Sequence, residues 1–202
     1  MVAATMEEEA PIGVLALQGG YEAHEKTLAS IGRRARRVRV PADLEGLGGL
    51  VLPGGESSTM LKLIAWNHLW EPLDAAVRGT GAGPTALPVL ATCAGLILAA
   101  TGVSQPVQAS FGWLDVDVAR NAWGRQNESF EAQDDAGRMH CVFIRAPRIT
   151  RRGPGVEVIA TLAGEPIAVR QGSIIGASFH PELADEPLLH RMLFGEGTRH
   201  NR

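Results

Sequence analysis

Cys93 stands in the run Ala91-Thr92-Cys93-Ala94-Gly95, between a short apolar stretch and a segment free of helix breakers. That is the pattern of a nucleophile elbow: a strand, a turn so tight that the residues two away must be small, then a helix. The free N–H groups and positive dipole end of such a helix favour a thiolate. A buried core cysteine is the competing reading, and it is the usual fate of an unbridged thiol. A second run, His180-Pro181-Glu182, closes another apolar stretch. Its imidazole has the chemistry of a general base and acid, and its carboxylate can fix the imidazole tautomer. A polar surface turn fits the same residues. The third run, Gly54-Gly55-Glu56-Ser57, can bring a backbone N–H close to a ligand. An oxyanion hole needs such a donor alongside the N–H of the residue after the nucleophile, here Ala94. A tight turn with Ser57 capping a helix also fits. No Gly-Lys-Ser/Thr follows, which argues against a phosphate loop.

The elements that must position these residues are legible as short apolar runs between breakers. Ile12 to Gln18 stops at Gly19-Gly20 and reads as a buried parallel strand. A helix is expected over 21–32, and strands over Val38 to Pro41 and Gly49 to Pro53. Residues 57–78 are helical in pattern, with a break near Pro72. Pro88 to Thr92 is a strand, Ala94 to Ala100 a helix, Ser173 to Phe179 the last strand, and 186–194 a closing helix. Strands alternating with helices predict an α/β domain with a mostly parallel central sheet. Residues 112–176 alternate more and predict a mixed or antiparallel extension of that sheet. Each of the three polar turns ends a strand, and parallel strands deliver their ends to one edge. Nucleophile, base, carboxylate and oxyanion donors are therefore expected together.

The chain has 202 residues, 45% of them hydrophobic, which suits one well-buried core. The expected layout is a disordered acidic tail over 1–10, a single domain over 11–196, and a flexible tail over 197–202. A net charge of −3 gives no global reason to expect nucleic acid or an anionic membrane as partner. The apolar runs are far shorter than a membrane span, and the N-terminus is acidic where a secretory signal is basic and then apolar. Two cysteines are too few for a disulfide framework and fit a reduced cytoplasmic protein. The basic run Arg33, Arg34, Arg36, Arg37 and Arg39 is expected on a solvated face or at a partner contact. Cys141 is expected in the core. His24, His68, His140 and His190 show no metal-ligand spacing. The GxGxxG pattern is absent after Gln18, which disfavours a dinucleotide site.

Six stretches, IGVLALQGG, LPGGESSTM, TCAGLI, RNAWGRQNESFE, FIRAP and SFHPEL, occur in this order between residues 12 and 183. On these the chain resembles the class I, triad-type glutamine amidotransferase family. The cysteine elbow and HPE specify only the broad family. ARNAWGRQNESFE and FIRAP are similar to its vitamin B6 branch, the glutaminase subunits of pyridoxal 5′-phosphate synthase. The resemblance implies a three-layer, flavodoxin-like fold and hydrolysis of L-glutamine to glutamate and ammonia through a thioester. It implies that Cys93 is the nucleophile and that His180 and Glu182 complete its triad. It also implies glutamine contacts from Gly55, Glu56, Ser57, Arg120, Ile144 and Arg145. Arg120 or Arg145 suits the substrate α-carboxylate, and Glu56 its α-ammonium.

The implied partner is a separate synthase subunit in a large hetero-oligomer, which receives the ammonia. No cofactor is implied in this subunit, since pyridoxal 5′-phosphate is the product of the complex. The chain departs from the family pattern at Ala91, where Gly is usual, and in a longer Gly/Pro-rich loop from Gly79 to Pro88. Two other readings are a glutaminase subunit of another pathway, such as histidine biosynthesis, and a non-catalytic binding protein on the same fold. The second would lack Cys, His or Glu, and all three are present.

Overall fold

The computed structural model describes residues 9–81, 85–123, 129–184 and 187–195. Outside them fall residues 1–8 of the expected N-terminal tail, the expected C-terminal tail, residues 82–84 of the Gly79–Pro88 loop and residues 124–128 of the RNAWGRQNESFE stretch.

The first half alternates strand and helix: β1 (Ile12–Leu15), α1 (Tyr21–Ser30), β2 (Ala35–Val38), β3 (Gly49–Leu52), α2 (Ser57–Trp66), α3 (Trp70–Arg78), β4 (Val89–Thr92) and α4 (Ala94–Ala99). The second half is mostly β: β5 (Ala100–Ser104), β6 (Leu114–Trp123), β7 (Ser129–Gln133), β8 (His140–Ile144), β9 (Ala146–Arg152), β10 (Glu157–Leu162), β11 (Glu165–Gln171) and β12 (Ile174–Ala177), closed by α5 (Leu188–Phe194). Seven strands form the central sheet in the order β10-β11-β12-β4-β3-β1-β2. From β12 to β2 every pairing is parallel, and β10 and β11 extend that sheet antiparallel.

The short strands at the centre of the sheet are apolar on both faces, so each feeds two cores. Leu50, Leu52, Val89 and Ala91 point into a cluster with Met60, Ile64, Leu73 and Leu96 of α2, α3 and α4. Val51, Leu90, Ile175 and Ala177 point the other way, toward Leu28 of α1, Leu189 and Leu193 of α5, and Phe143 of β8. The result is a three-layer α/β sandwich.

Several boundaries differ from expectation for identifiable reasons. The second strand lies at 35–38 rather than 38–41, and Pro41–Leu44 forms a 3-10 turn. β2 is an edge strand whose Ala35, Arg36 and Arg37 face outward, so apolar patterning does not mark it. The helical break comes at Asn67–Leu69, where His68 has φ +54. Pro72 lies inside the first turn of α3, where its missing N–H has no intrahelical acceptor to lose. α4 ends one residue early and runs straight into β5, a strand the sequence does not announce. Of the expected extension over 112–176, only β10 and β11 join the central sheet. β6 and β9 pair with β5, and β7 pairs with β8, in two separate small sheets.

The basic run lies mostly on the exposed surface, as expected, and several of its arginines also bond to the chain itself. Arg37 pairs with Glu25 and Glu22 and lies 5.0 Å over the Tyr21 ring, and Arg39 donates to the Ala16 carbonyl. Arg33 donates to the carbonyls of Ala10 and Phe194. Cys141 is fully buried in β8. No helix among the described residues is long and apolar enough to cross a membrane.

The β4–α4 junction is held by Gly95. A Cβ at this position would penetrate the Leu52 carbonyl group of β3, which cannot retreat without breaking the sheet. Ala91, on the other flank, is buried in the first core and paired with Leu52 and Gly176. Its methyl thus has room where that of residue 95 has none. We expect Gly95→Ala to cost about 3 kcal/mol, or roughly 6–12 °C in Tm, as overpacking against backbone. Gly155→Ala, where the added Cβ makes only an ordinary contact, should leave Tm nearly unchanged in the same thermal melt.

Candidate active site

Three adjacent parallel strands carry the site. β4 pairs with β3 on one side and β12 on the other, and Ala177 lies in register with Thr92. The chain leaves all three strands at one level. Cys93 follows β4, Gly54-Gly55 follow β3, and His180 follows β12 by three residues. The Cys93 N–H donates to the Ala177 carbonyl at 2.8 Å, which ties the cysteine to the strand that supplies the histidine.

Cys93 has φ +48 and ψ −103, a strained conformation for a side chain with a Cβ, and it precedes the first residue of α4. The turn lifts the thiol out of the sheet, where Sγ lies 3.8 Å from the Ile144 carbonyl. His180 Nδ1 and Glu182 Oε1 are 2.8 Å apart, and the Glu182 side chain is completely shielded from solvent. The His180 N–H donates to the Val142 carbonyl of β8, so this backbone is pinned too. Gly54 has no side chain because the His180 ring occupies that space; a Cβ would overlap its Cε1.

The electrostatics follow from this packing. Burial works against charge on His180, but hydrogen bonds and attraction to Cys93 and Glu182 outweigh it and raise its pKa to about 10. Burial likewise opposes charge on Glu182, yet His24 and His180 hold its carboxyl well below the usual range. The pair is therefore an imidazolium beside a carboxylate at neutral pH.

Around Cys93 and His180 lies a cavity of about 330 Å³, lined also by Gly55, Glu56, Ser57, Ile97, Arg120, Asn121, Ile144 and Arg145. That is the small end of the range for small-molecule sites, about 300–1,000 Å³. Each residue expected to contact substrate is brought to it. Three of its lining residues, Cys93, Asn121 and Arg145, have positive φ without being glycine. Such strain gathers where a scaffold fixes functional side chains.

Glu56, rather than Ser57, caps α2: its carboxylate accepts from the N–H groups of Ser58 and Thr59, the Thr59 hydroxyl and Arg120 Nη2. Burial opposes its charge, but the bonds from Thr59 and Ser58 bring its pKa down to about 2. The Ser57 hydroxyl instead donates to the Gln108 side chain at 2.9 Å.

Sequence reasoning passed over Gln18, whose Oε1 accepts from the Glu56 N–H at 2.9 Å, while the Gly20 N–H donates to the Gly54 carbonyl at 3.0 Å. The Gln18-Gly19-Gly20 turn thus supports the Gly54-Gly55 loop. The signal was there in a polar residue ending an apolar strand. Ile97 and Asn121 were also missed, the first inside an apolar helix and the second beside Arg120.

Comparison with known proteins bears directly on this arrangement. The family model described as the SNO glutamine amidotransferase family matches residues 14–196. Proteins named pyridoxal 5′-phosphate synthase subunit PdxT are 45% identical in Deinococcus radiodurans, across 91% of this chain and 95% of that protein, and 48% identical in Cutibacterium acnes, across 89% and 93%. A crystal structure described as a glutamine amidotransferase superposes with a TM-score of 0.81 at 43% identity, covering 90% of this chain and 96% of its own. A glutamine amidotransferase from Thermotoga maritima shares the fold at 13% identity, with a TM-score of 0.55 over 87% of this chain and 77% of its own. On its fold, its cavity and these matches, the chain belongs to the SNO glutamine amidotransferase family.

Proposed function

We propose that this chain is the glutaminase subunit of a pyridoxal 5′-phosphate synthase, with Cys93, His180 and Glu182 as its triad. One observation carries the reading: a cysteine at a strained strand–helix turn, a buried His–Glu pair, and a charged cavity of amino-acid size meet at the ends of three adjacent strands. The name borne by its relatives supports the pathway.

In this reading the Cys93 thiolate attacks the side-chain carboxamide carbon of glutamine. The N–H groups of Ala94 and Gly55 hold the oxyanion; Ala94 is the first residue of α4, so its N–H has no intrahelical acceptor. As the C–N bond breaks, the His180 imidazolium gives its proton to the departing ammonia, leaving a thioester on Cys93. Neutral His180 then takes a proton from water, the hydroxide adds to the thioester carbonyl, and glutamate leaves as the thiolate returns. Glu182 keeps the imidazole oriented throughout. Side chains and backbone supply all of this chemistry, and pyridoxal 5′-phosphate enters only as the product of the complex. Both cysteines are free, which fits a reducing compartment such as the cytoplasm.

Arg120 suits the glutamine α-carboxylate. Its side chain is largely buried and held by Glu56 at 3.1 Å, so it is preorganised and keeps donors to spare. Arg145 adds a second positive charge to the cavity, and Glu56, fixed and ionised, attracts the α-ammonium. Gly55, Ser57 and Ile144 complete the contacts. Ammonia at neutral pH is mostly ammonium, a poor nucleophile, so direct transfer to a docked synthase partner is what makes the hydrolysis useful.

The deciding experiment measures ammonia release from glutamine, with and without the synthase partner, followed by assay of pyridoxal 5′-phosphate. Cys93→Ala should reduce release to background in a folded protein, and normal activity there would overturn the triad. Activity should rise when the synthase is added; equal rates would count against docking. Arg120→Gln should lose a charge-assisted contact of about 1.5–3 kcal/mol, or roughly 10- to 150-fold in kcat/KM, mostly through KM.

The pH profile follows from His180. Its charge persists below about pH 10 and is lost above it, so kcat/KM should fall as pH rises through about 10. An alkaline limb at the ordinary histidine value would contradict this assignment.

A further inference from the structure

The triad accounts for only one oxygen of Glu182. Its Oε1 faces His180, while Oε2 is buried and has no hydrogen-bond partner of ordinary length among the described residues. A buried carboxylate oxygen left alone is costly. Beside it stands His24 of α1, with Nε2 3.4 Å from Oε2 and both side chains fully shielded from solvent. We infer that His24 is a positioning residue of this site: its Nε2–H holds the second oxygen of Glu182, so that the carboxylate keeps His180 aligned with Cys93. The inference rests on the proposed triad and adds a fourth member to it.

Proton placement follows from the acceptors. An ionised carboxylate only accepts, so the nitrogen facing it must carry the hydrogen. Thr92 Oγ1 lies 3.2 Å from the same nitrogen, and Thr92 is the residue before the nucleophile. On the far side of the ring, His24 Nδ1 is 2.9 Å from Nε2 of His190 in α5. Burial, the largest cause, pushes the His190 pKa down to about 3, so His190 stays neutral and can donate from Nε2 to the bare Nδ1 of a neutral His24. The His24 tautomer is thereby set from behind, as outer partners set the tautomer of metal-bound histidines. His24 is fully buried and does not line the cavity. It reaches the chemistry through Glu182 and not through glutamine.

Two substitutions of similar polarity separate this role from a structural one. His24→Gln places an amide N–H where Nε2–H was and gives up the His190 contact. His24→Asn keeps a polar group near Nδ1 and gives up the Glu182 and Thr92 contacts. His24→Gln loses the His190 contact and His24→Asn those with Glu182 and Thr92, so a purely structural His24 predicts kcat losses that only follow the Tm losses of the two variants.

Measured in the complex with the synthase, we expect His24→Asn to lower kcat about 10- to 100-fold, the scale for outer-partner losses at metal sites, with KM within about twofold. His24→Gln should retain most of kcat. The rate of Cys93 alkylation by iodoacetamide, read across pH on the isolated chain, should fall in His24→Asn and stay near wild type in His24→Gln. Equal kcat in the two variants, or a greater loss in His24→Gln, would overturn the inference. Nitrogen NMR of the wild-type histidines tests it without any variant: a protonated His24 Nε2 supports the role, and a bare one removes it. If Cys93→Ala is inactive while His24→Asn keeps full kcat, only the His24 role fails; an active Cys93→Ala sinks the triad itself.

Discussion

The pairing of Thr92 with Ala177, closed by the Cys93 N–H on the Ala177 carbonyl, sets the level at which two neighbouring strands release the chain. A one-residue slip there would turn every side chain of β4 to the other face. Leu90 would enter the wrong core, and Cys93 would leave the elbow. The two cores on either side of the sheet are thus what holds the nucleophile opposite its base. Hydrophobic burial, which has no direction of its own, acquires one from the alternation of strands that are apolar on both faces.

From that register the site extends in both directions along the sheet. Toward β12 lie His180 and Glu182; toward β3 and β1 lie the Gly54-Gly55 loop and the Gln18 turn that supports it. Close backbone approach is the recurring device. Gly54 yields its side-chain space to the His180 ring, and Gly95 yields its own to the Leu52 carbonyl. Charge is then placed on this frame and kept there. The Glu182 side chain is sealed from solvent behind His180, which opens on the cavity, while Glu56 and Arg120 lock each other at its wall. Groups already fixed before substrate arrives need little reorganisation during reaction.

Much of this was legible in the sequence because the chemistry sits at breakers. Cys93, His180-Pro181-Glu182 and Gly54-Gly55 each end a short apolar run, and a run that stops abruptly marks a strand end. What was not legible has physical causes. β2 carries arginines on an exposed edge, so its hydropathy resembles a loop. β5 grows out of the last turn of an apolar helix with no breaker between them. His24 and His190 sit in helices far apart in sequence, and only the folded layer behind the sheet brings their rings to 5.2 Å. The order of strands was equally hidden, since local pattern says nothing of which neighbour a strand will choose.

Arg33 has a reach that the basic run as a whole does not suggest. Its guanidinium grips the carbonyl of Ala10, just before β1, and that of Phe194, the last residue of α5. One side chain therefore ties the approach to the first strand to the end of the last described helix. The stretch before the first strand and the end of the last described helix thus meet at a point remote from Cys93 in connectivity. Joining the chain at that point and cutting it anew in an exposed turn such as Ala163-Gly164 would reorder the sequence while leaving the catalytic neighbourhood intact.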